Sequence, residues 1–167
     1  MGKGRDGRSV GVSSQLKIAI KIFSDRVAFS NELRAYEVLS RNRCPYIPTF
    51  YGSFHNDLLG VSSILISYGR PVAEGFSFTQ NDRQDCPLPH FLPCLVSMGT
   101  IFRDHLVAAV SSLHSFGVHH HDLKPDNLVQ GEDGKLKMID FHLSEILTEA
   151  SCPQGLCPDW QWIQEGF

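Results

Sequence analysis

Two aspartates and an asparagine are the residues of this 167-residue chain best placed to do chemistry: Asp122 and Asn127, five positions apart in HHDLKPDN, and Asp140, 18 positions beyond Asp122 in MIDFH. Carboxylate and amide oxygens are the hard ligands that Mg²⁺ prefers, and a carboxylate left over can accept the proton of an attacking hydroxyl. Phosphoryl transfer needs both, because its transition state is highly charged. A lone Asp or Asn on a loop is usually a turn former, so the weight rests on the ordered set. His119, His120 and His121 invite a metal-site reading. Consecutive residues on an extended segment point alternately to opposite sides and seldom converge on one ion, so His120 is expected to pack within its loop.

The elements that must position these groups can be read from periodicity. LKIAIKIF at 16–23 alternates apolar and basic residues with β-branched content and predicts a strand with Lys21 near its end. Ser24 and Asp25 offer an N-cap, and Phe29, Leu33, Tyr36 and Leu39 then mark one face of a helix reaching about residue 40. YIPTFYGSF at 46–54 and SSILISY at 62–68 predict two antiparallel strands around a turn at HNDLLG. Residues 73–93 hold four Pro or Gly and read as an irregular connector. From Leu95 to Phe116, the spacing of Met98, Phe102, Leu106, Ala109, Leu113 and Phe116 predicts the longest helix, ended by Gly117, with Phe102 and Phe116 in the core. HHHDLKPDNLV, a GEDG turn and KLKMIDF follow as loop, short strand, tight turn and short strand. The last twenty residues show no clear element, although Trp160 and Trp162 should seek burial.

With the elements in order, HHDLKPDN resembles the protein-kinase catalytic loop HRDLxxxN, Asp-Phe-His at 140–142 resembles the DFG metal site, and IAIK at 18–21 resembles the VAIK strand. The likeness is to the protein-kinase-like superfamily and runs from about residue 16 to 146. Its closer form is the divergent, shortened kinase-like proteins of fungi, which share the E..AY..L pattern of Glu32, Ala35, Tyr36 and Leu39. The resemblance implies Asp122 as catalytic base and Lys124 as a contact to the transferring phosphate, as Ser/Thr-type kinases place it. It also implies Asn127 and Asp140 as Mg²⁺ ligands, Lys21 on the α- and β-phosphates of ATP, and Glu32 as the helix partner of Lys21. SSILISYGRP resembles the strand that runs into the adenine-binding hinge, with Ser67 and Tyr68 near the backbone contacts. The implied fold is α+β and bilobal in a single domain over 1–167, with a small antiparallel β lobe at 16–72, a connector at 73–94 and a truncated helical large lobe at 95–167.

Several positions depart from the family pattern. GKGRDG at 2–7 formally fits GxGxxG, but the chain begins there with no strand to precede it, so a flexible basic N-terminus is expected. His121 stands where HRD has Arg, which removes a cation at neutral pH and with it activation-loop switching. His142 stands where DFG has Gly, and a side chain bearing Cβ tolerates fewer backbone states. No APE motif follows, and the helices that anchor the catalytic loop and bind a peptide are expected to be missing. That would leave the apolar face of the long helix partly uncovered.

Composition sets the remaining bounds. Hydrophobic residues at 42% and charged residues at 20% are ordinary for a globular domain, and a net charge of −3 gives no basic excess of the kind nucleic-acid or membrane-surface proteins carry. No apolar run approaches the roughly 18 residues of a membrane helix, and the N-terminus lacks a secretory apolar region, so the chain reads as intracellular, cytoplasmic or nuclear. Its five cysteines read as free thiols, and a structural zinc site at Cys152 and Cys157 would have to borrow histidines. The function implied is an ATP- and Mg²⁺-dependent phosphotransferase acting on a protein substrate, most simply a Ser/Thr protein kinase. The alternative is a catalytically silent kinase-like module that binds a partner protein, and a third reading is a small-molecule kinase, since such enzymes also lack the HRD arginine.

Overall fold

The computed structural model describes residues 2–3, 9–13, 17–72, 91–147 and 157–166. A five-stranded antiparallel sheet of spatial order β1-β2-β3-β5-β4 comes first, built from β1 (Gly2–Lys3), β2 (Ser9–Ser13), β3 (Ile18–Phe23), β4 (Phe50–Asn56) and β5 (Val61–Ser67). Gly2 pairs with Val10 and Lys3 with Ser9, which corrects the expectation of a flexible N-terminus; residues 4–8, in the middle of GKGRDG, lie outside the described residues. On β3 the period-2 alternation puts Lys21 and Phe23 on the side facing α1 and leaves Ile20 exposed.

Helix α1 (Arg26–Arg41) starts where expected because Asp25 Oδ1 accepts the N–H groups of Val27 at 2.8 Å and Ala28 at 3.4 Å. Its buried face is Phe29, Glu32, Ala35, Tyr36 and Leu39, so Glu32 lies within an apolar stripe. The strand expected from residue 46 begins at Phe50, after a stretch containing Pro45 and Pro48, residues that have no N–H for a ladder. A bulge between Phe50 and Gly52 interrupts its pairing with β5.

Of the connector expected at 73–94, residues 73–90 lie outside the described residues, whereas 91–94 already belong to α2 (Phe91–Ser115). Pro93 falls in the first turn, where a missing N–H costs no intrahelical bond, so the helix starts earlier than its apolar spacing suggests. Leu106, Ala109, Val110 and Leu113 are fully buried. Here the face expected to be uncovered is covered by β7 (Val118–His119), by β9 (Leu136–Met138) and by α3 (Pro158–Gly166). Helix α3 also corrects the expectation that the last twenty residues lack an element: Pro158 opens it, and Trp160 and Trp162 pack against the core. The strands β6 (Arg70–Pro71), β8 (Leu128–Gln130) and β9 form a second sheet, with Gly131–Gly134 as the expected turn, and β7 pairs with β10 (Glu145–Ile146). Among the described residues no helix is long and apolar enough to cross a membrane.

Gly117 ends α2 at φ +74, and a Cβ built there would stand 2.5 Å from the Leu147 carbonyl oxygen. Left-handed backbone costs a residue with Cβ about 1–2 kcal/mol even without a clash. Gly117→Ala is therefore expected to destabilise the chain by at least that amount in thermal or denaturant melts, and an unchanged midpoint would contradict this account.

Candidate active site

Lys21 leaves β3 toward the interior and finds two carboxylates: Nζ donates to Glu32 Oε2 at 2.5 Å and to Asp140 Oδ1 at 2.6 Å. Glu32 is 1% exposed, so the lysine helps offset the cost of burying its carboxylate. Lys21 thus meets Glu32 of α1 in the structure. Sheet, helix α1 and the segment after β9 meet at one ammonium.

Asp122 and its neighbours form the second cluster. Lys124 Nζ donates to Asp122 Oδ2 at 2.6 Å, and Asn127 Nδ2 donates to Asp122 Oδ2 at 2.9 Å and to its backbone carbonyl at 2.8 Å. Asn127 closes the 3₁₀ turn Pro125–Asn127, and its carbonyl accepts the N–H of Ile139, which brings it alongside Asp140. Because the amide nitrogen is committed to Asp122, the oxygen is what Asn127 could give to a cation.

His120 is fully buried, as expected of a packed loop residue. Its Nε2 donates to the Ile139 carbonyl at 2.9 Å and its Nδ1 accepts the Asp122 N–H at 3.3 Å, which fixes a neutral tautomer. Burial holds its pKa below the ordinary value, against smaller opposing effects of the Ile139 bond and nearby carboxylates. His121 carries φ +62, a conformation uncommon outside glycine, and its N–H donates to Asp159 Oδ1 at 2.7 Å while the His120 N–H donates to Asp159 Oδ2 at 2.8 Å.

Asp159 is the residue the sequence reading missed. It sits in the first turn of α3, 1% exposed, and His114 Nε2 lies 2.9 Å from its Oδ2. Burial pushes this carboxyl up, but the bonds from His114 and the two backbone amides outweigh that, and its pKa lies below the ordinary range. The helix anchor expected to be absent is thus supplied by α3. Pro158-Asp159 ahead of the apolar pair Trp160 and Ile163 was the available signal.

Asp140 lies at φ +69, in the left-handed region that Asp tolerates better than most residues. His142 follows within the 3₁₀ turn Phe141–Leu143, so the glycine freedom lost at position 142 is not required there. Its Nδ1 is hydrogen-bonded to Asp140 Oδ1, and its carbonyl accepts Asn31 Nδ2 at 3.2 Å. A column of rings joins the two clusters: Phe50 stacks on Tyr36 at 5.7 Å, Tyr36 meets Phe141 edge-on at 5.2 Å, and Phe141 contacts His120 at 4.8 Å.

Ser67 and Tyr68 stand apart from this convergence. The Ser67 N–H donates to the Thr49 carbonyl and the Tyr68 N–H to the Lys17 carbonyl, both at 2.8 Å, and Ser67 Oγ accepts the Thr49 N–H at 3.0 Å. Both backbone amides are committed to holding the end of β5.

The protein kinase domain model matches residues 1–164, and the chain belongs to that family. Among similar proteins, mitogen-activated protein kinase kinase 7 of Arabidopsis thaliana is 28% identical over 125 residues, which are 74% of this chain and 36% of that protein. The probable serine/threonine protein kinase IRE of the same plant is 33% identical over 103 residues, 53% of this chain and 9% of that protein. Putative CBL-interacting protein kinase 27 of Oryza sativa subsp. japonica is 51% identical over 51 residues, 30% of this chain and 12% of that protein. The chain therefore spans at most about a third of these relatives, and its antiparallel sheet and three helices fit an α+β kinase-like fold.

Two outcomes test this geometry. Lys21→Met removes the ammonium shared by Glu32 and Asp140; breaking a buried ion pair costs about 3–5 kcal/mol, and the lower end is expected because the Lys21 side chain keeps 12% exposure. Denaturant melts of the variant check it, and Glu32→Gln on the same background should recover part of the loss. His120, folded with its pKa below the unfolded value of about 6.5, contributes stability above that value that is lost as pH falls toward the folded pKa. Melting temperature should fall from about pH 7.5 to about pH 5.5, and with a shallower slope in His120→Gln.

Proposed function

We propose that this chain transfers the γ-phosphoryl group of ATP to a hydroxyl of a protein substrate, as a kinase of the Ser/Thr type. The observation that carries this reading is the convergence of Lys124 and Asn127 on one oxygen of Asp122. In this reading the two donors fix the carboxylate through Oδ2, and Oδ1, which makes no hydrogen bond to the described residues, accepts the proton of the attacking hydroxyl. Lys124 then lies beside that hydroxyl, where its charge favours the incoming phosphoryl group.

Lys21, oriented by Glu32, would grip the α- and β-phosphates, and the segment at Ser67 and Tyr68 would border the adenine. The donor set suits Mg²⁺: Asp140 and the Asn127 amide oxygen are hard ligands, beside a lysine already balanced by Glu32. When bound, Mg²⁺ neutralises charge on the phosphate oxygens. The domain is read as a reduced bilobal one, with the sheet and α1 as small lobe at 16–72, the connector at 73–94 and a partial large lobe at 95–167.

Purified chain incubated with radiolabelled ATP, Mg²⁺ and generic protein substrates should transfer label. Asp122→Ala should lower transfer by about 10²–10⁴-fold, the usual contribution of a positioned acid–base group, and equal transfer by both proteins would overturn the reading. Mg²⁺-ATP at about 100 times its Kd should also stabilise the fold by about 2.7 kcal/mol. A melting temperature that ignores saturating Mg²⁺-ATP would favour the silent module that binds a partner protein.

A further inference from the structure

A second cluster of ligand-type side chains lies beneath the catalytic loop and takes no part in phosphotransfer. His114 ends α2, His119 is on β7, Cys157 precedes α3 and Asp159 lies in its first turn. All four are buried, and one ligand atom from each lies within 4.8 Å of the others. The separations are 2.9 Å from His114 Nε2 to Asp159 Oδ2, 3.5 Å from His119 Nδ1 to Cys157 Sγ and 3.9 Å from Cys157 Sγ to His114 Nε2. Tetrahedral zinc, with bonds of about 2.0–2.3 Å, sets its ligands roughly 3.3–3.6 Å apart, so these three separations bracket the tetrahedral spacing and the remaining pairs would close by up to about 1.2 Å to seat an ion.

A second observation points the same way. His119 is fully buried, and its Nδ1, the nitrogen turned to the cluster, has only the weak sulfur contact with Cys157 among the described residues. Its ring also stacks on that of His114 at 4.0 Å, so two histidines converge on one sulfur and one carboxylate. Cys157 is in no disulfide.

We propose that His114, His119, Cys157 and Asp159 hold a structural zinc ion. Two imidazoles, a thiolate and a carboxylate form a closed, borderline-soft set of the kind that selects zinc over Mg²⁺. The histidines that a zinc site at Cys157 must borrow come from the end of α2 and from β7. Asp159 keeps its bonds to the His120 and His121 amides, so the ion ties α2, β7 and α3 to the backbone of the catalytic loop. The site is independent of the phosphotransfer reading.

Its test reads metal rather than activity. The full chain, purified from zinc-supplemented medium and dialysed, should carry about one equivalent of zinc by elemental analysis. Cobalt exchanged into it should show visible d–d bands of tetrahedral geometry and a near-ultraviolet thiolate-to-cobalt transition. Cys157→Ser should lose the thiolate transition, and His119→Ala should weaken cobalt affinity by more than the roughly 10–100-fold that loss of an outer-shell partner costs. Cys152→Ser should change neither. Only trace zinc together with no cobalt spectrum in folded wild-type chain would overturn the proposal and leave the cluster as a hydrogen-bonded anchor. A cobalt spectrum that survives both Cys157→Ser and His119→Ala would overturn it as well, by placing the metal elsewhere.

Discussion

A carboxylate sealed from water is tolerated only when its oxygens are satisfied, and the way Asp159 meets that demand organises the lower half of the molecule. Its Oδ1 takes the His121 amide, and its Oδ2 takes the His120 amide and faces His114. Removing α3 would take this carboxylate away and leave two buried backbone amides and His114 without their acceptor. The end of α2, the loop that begins at His120 and α3 are therefore tied together, although the loop and α3 are separated by nearly forty positions in sequence.

Upward from that anchor, order passes through rings rather than charges. His120 touches Phe141, Phe141 meets Tyr36, and Tyr36 stacks on Phe50. Lys21 runs beside this column with Glu32 and Asp140 as its counter-ions. Two non-glycine residues in left-handed conformation, His121 and Asp140, flank the site. Such backbone persists only where its surroundings over-determine it, and here the Asp159 bond fixes one residue while Lys21 and His142 fix the other.

The sequence made legible what depends on side-chain type at short spacing. Asp122, Asn127 and Asp140 stand out because chemistry dictates their order, and Glu32 follows from its helical offset to Ala35, Tyr36 and Leu39. Pro158-Asp159 marks a helix start, but what Asp159 holds was illegible, because two of its partners are backbone amides, which carry no sequence signature. The early start of α2 was hidden by Pro93, which reads as a breaker unless its place in the first turn is known. The pairing of Gly2–Lys3 with β2 escaped notice because a two-residue strand has no period to detect. The convergence of His114, His119 and Cys157 needs three elements to meet, and no local pattern encodes that.

The bulge in β4 has a bearing on solubility. β4 closes one side of the five-stranded sheet, and Tyr51, Phe54, Leu58 and Leu59 on it and on the following turn are exposed. Among the described residues no strand pairs with the outer side of β4, and such an edge with aromatic neighbours is a ready template for another chain to extend the sheet. The irregularity between Phe50 and Gly52 bends the strand and breaks the even run of backbone groups that such growth would need. A local defect in pairing thus shields the sticky border of the sheet from self-association.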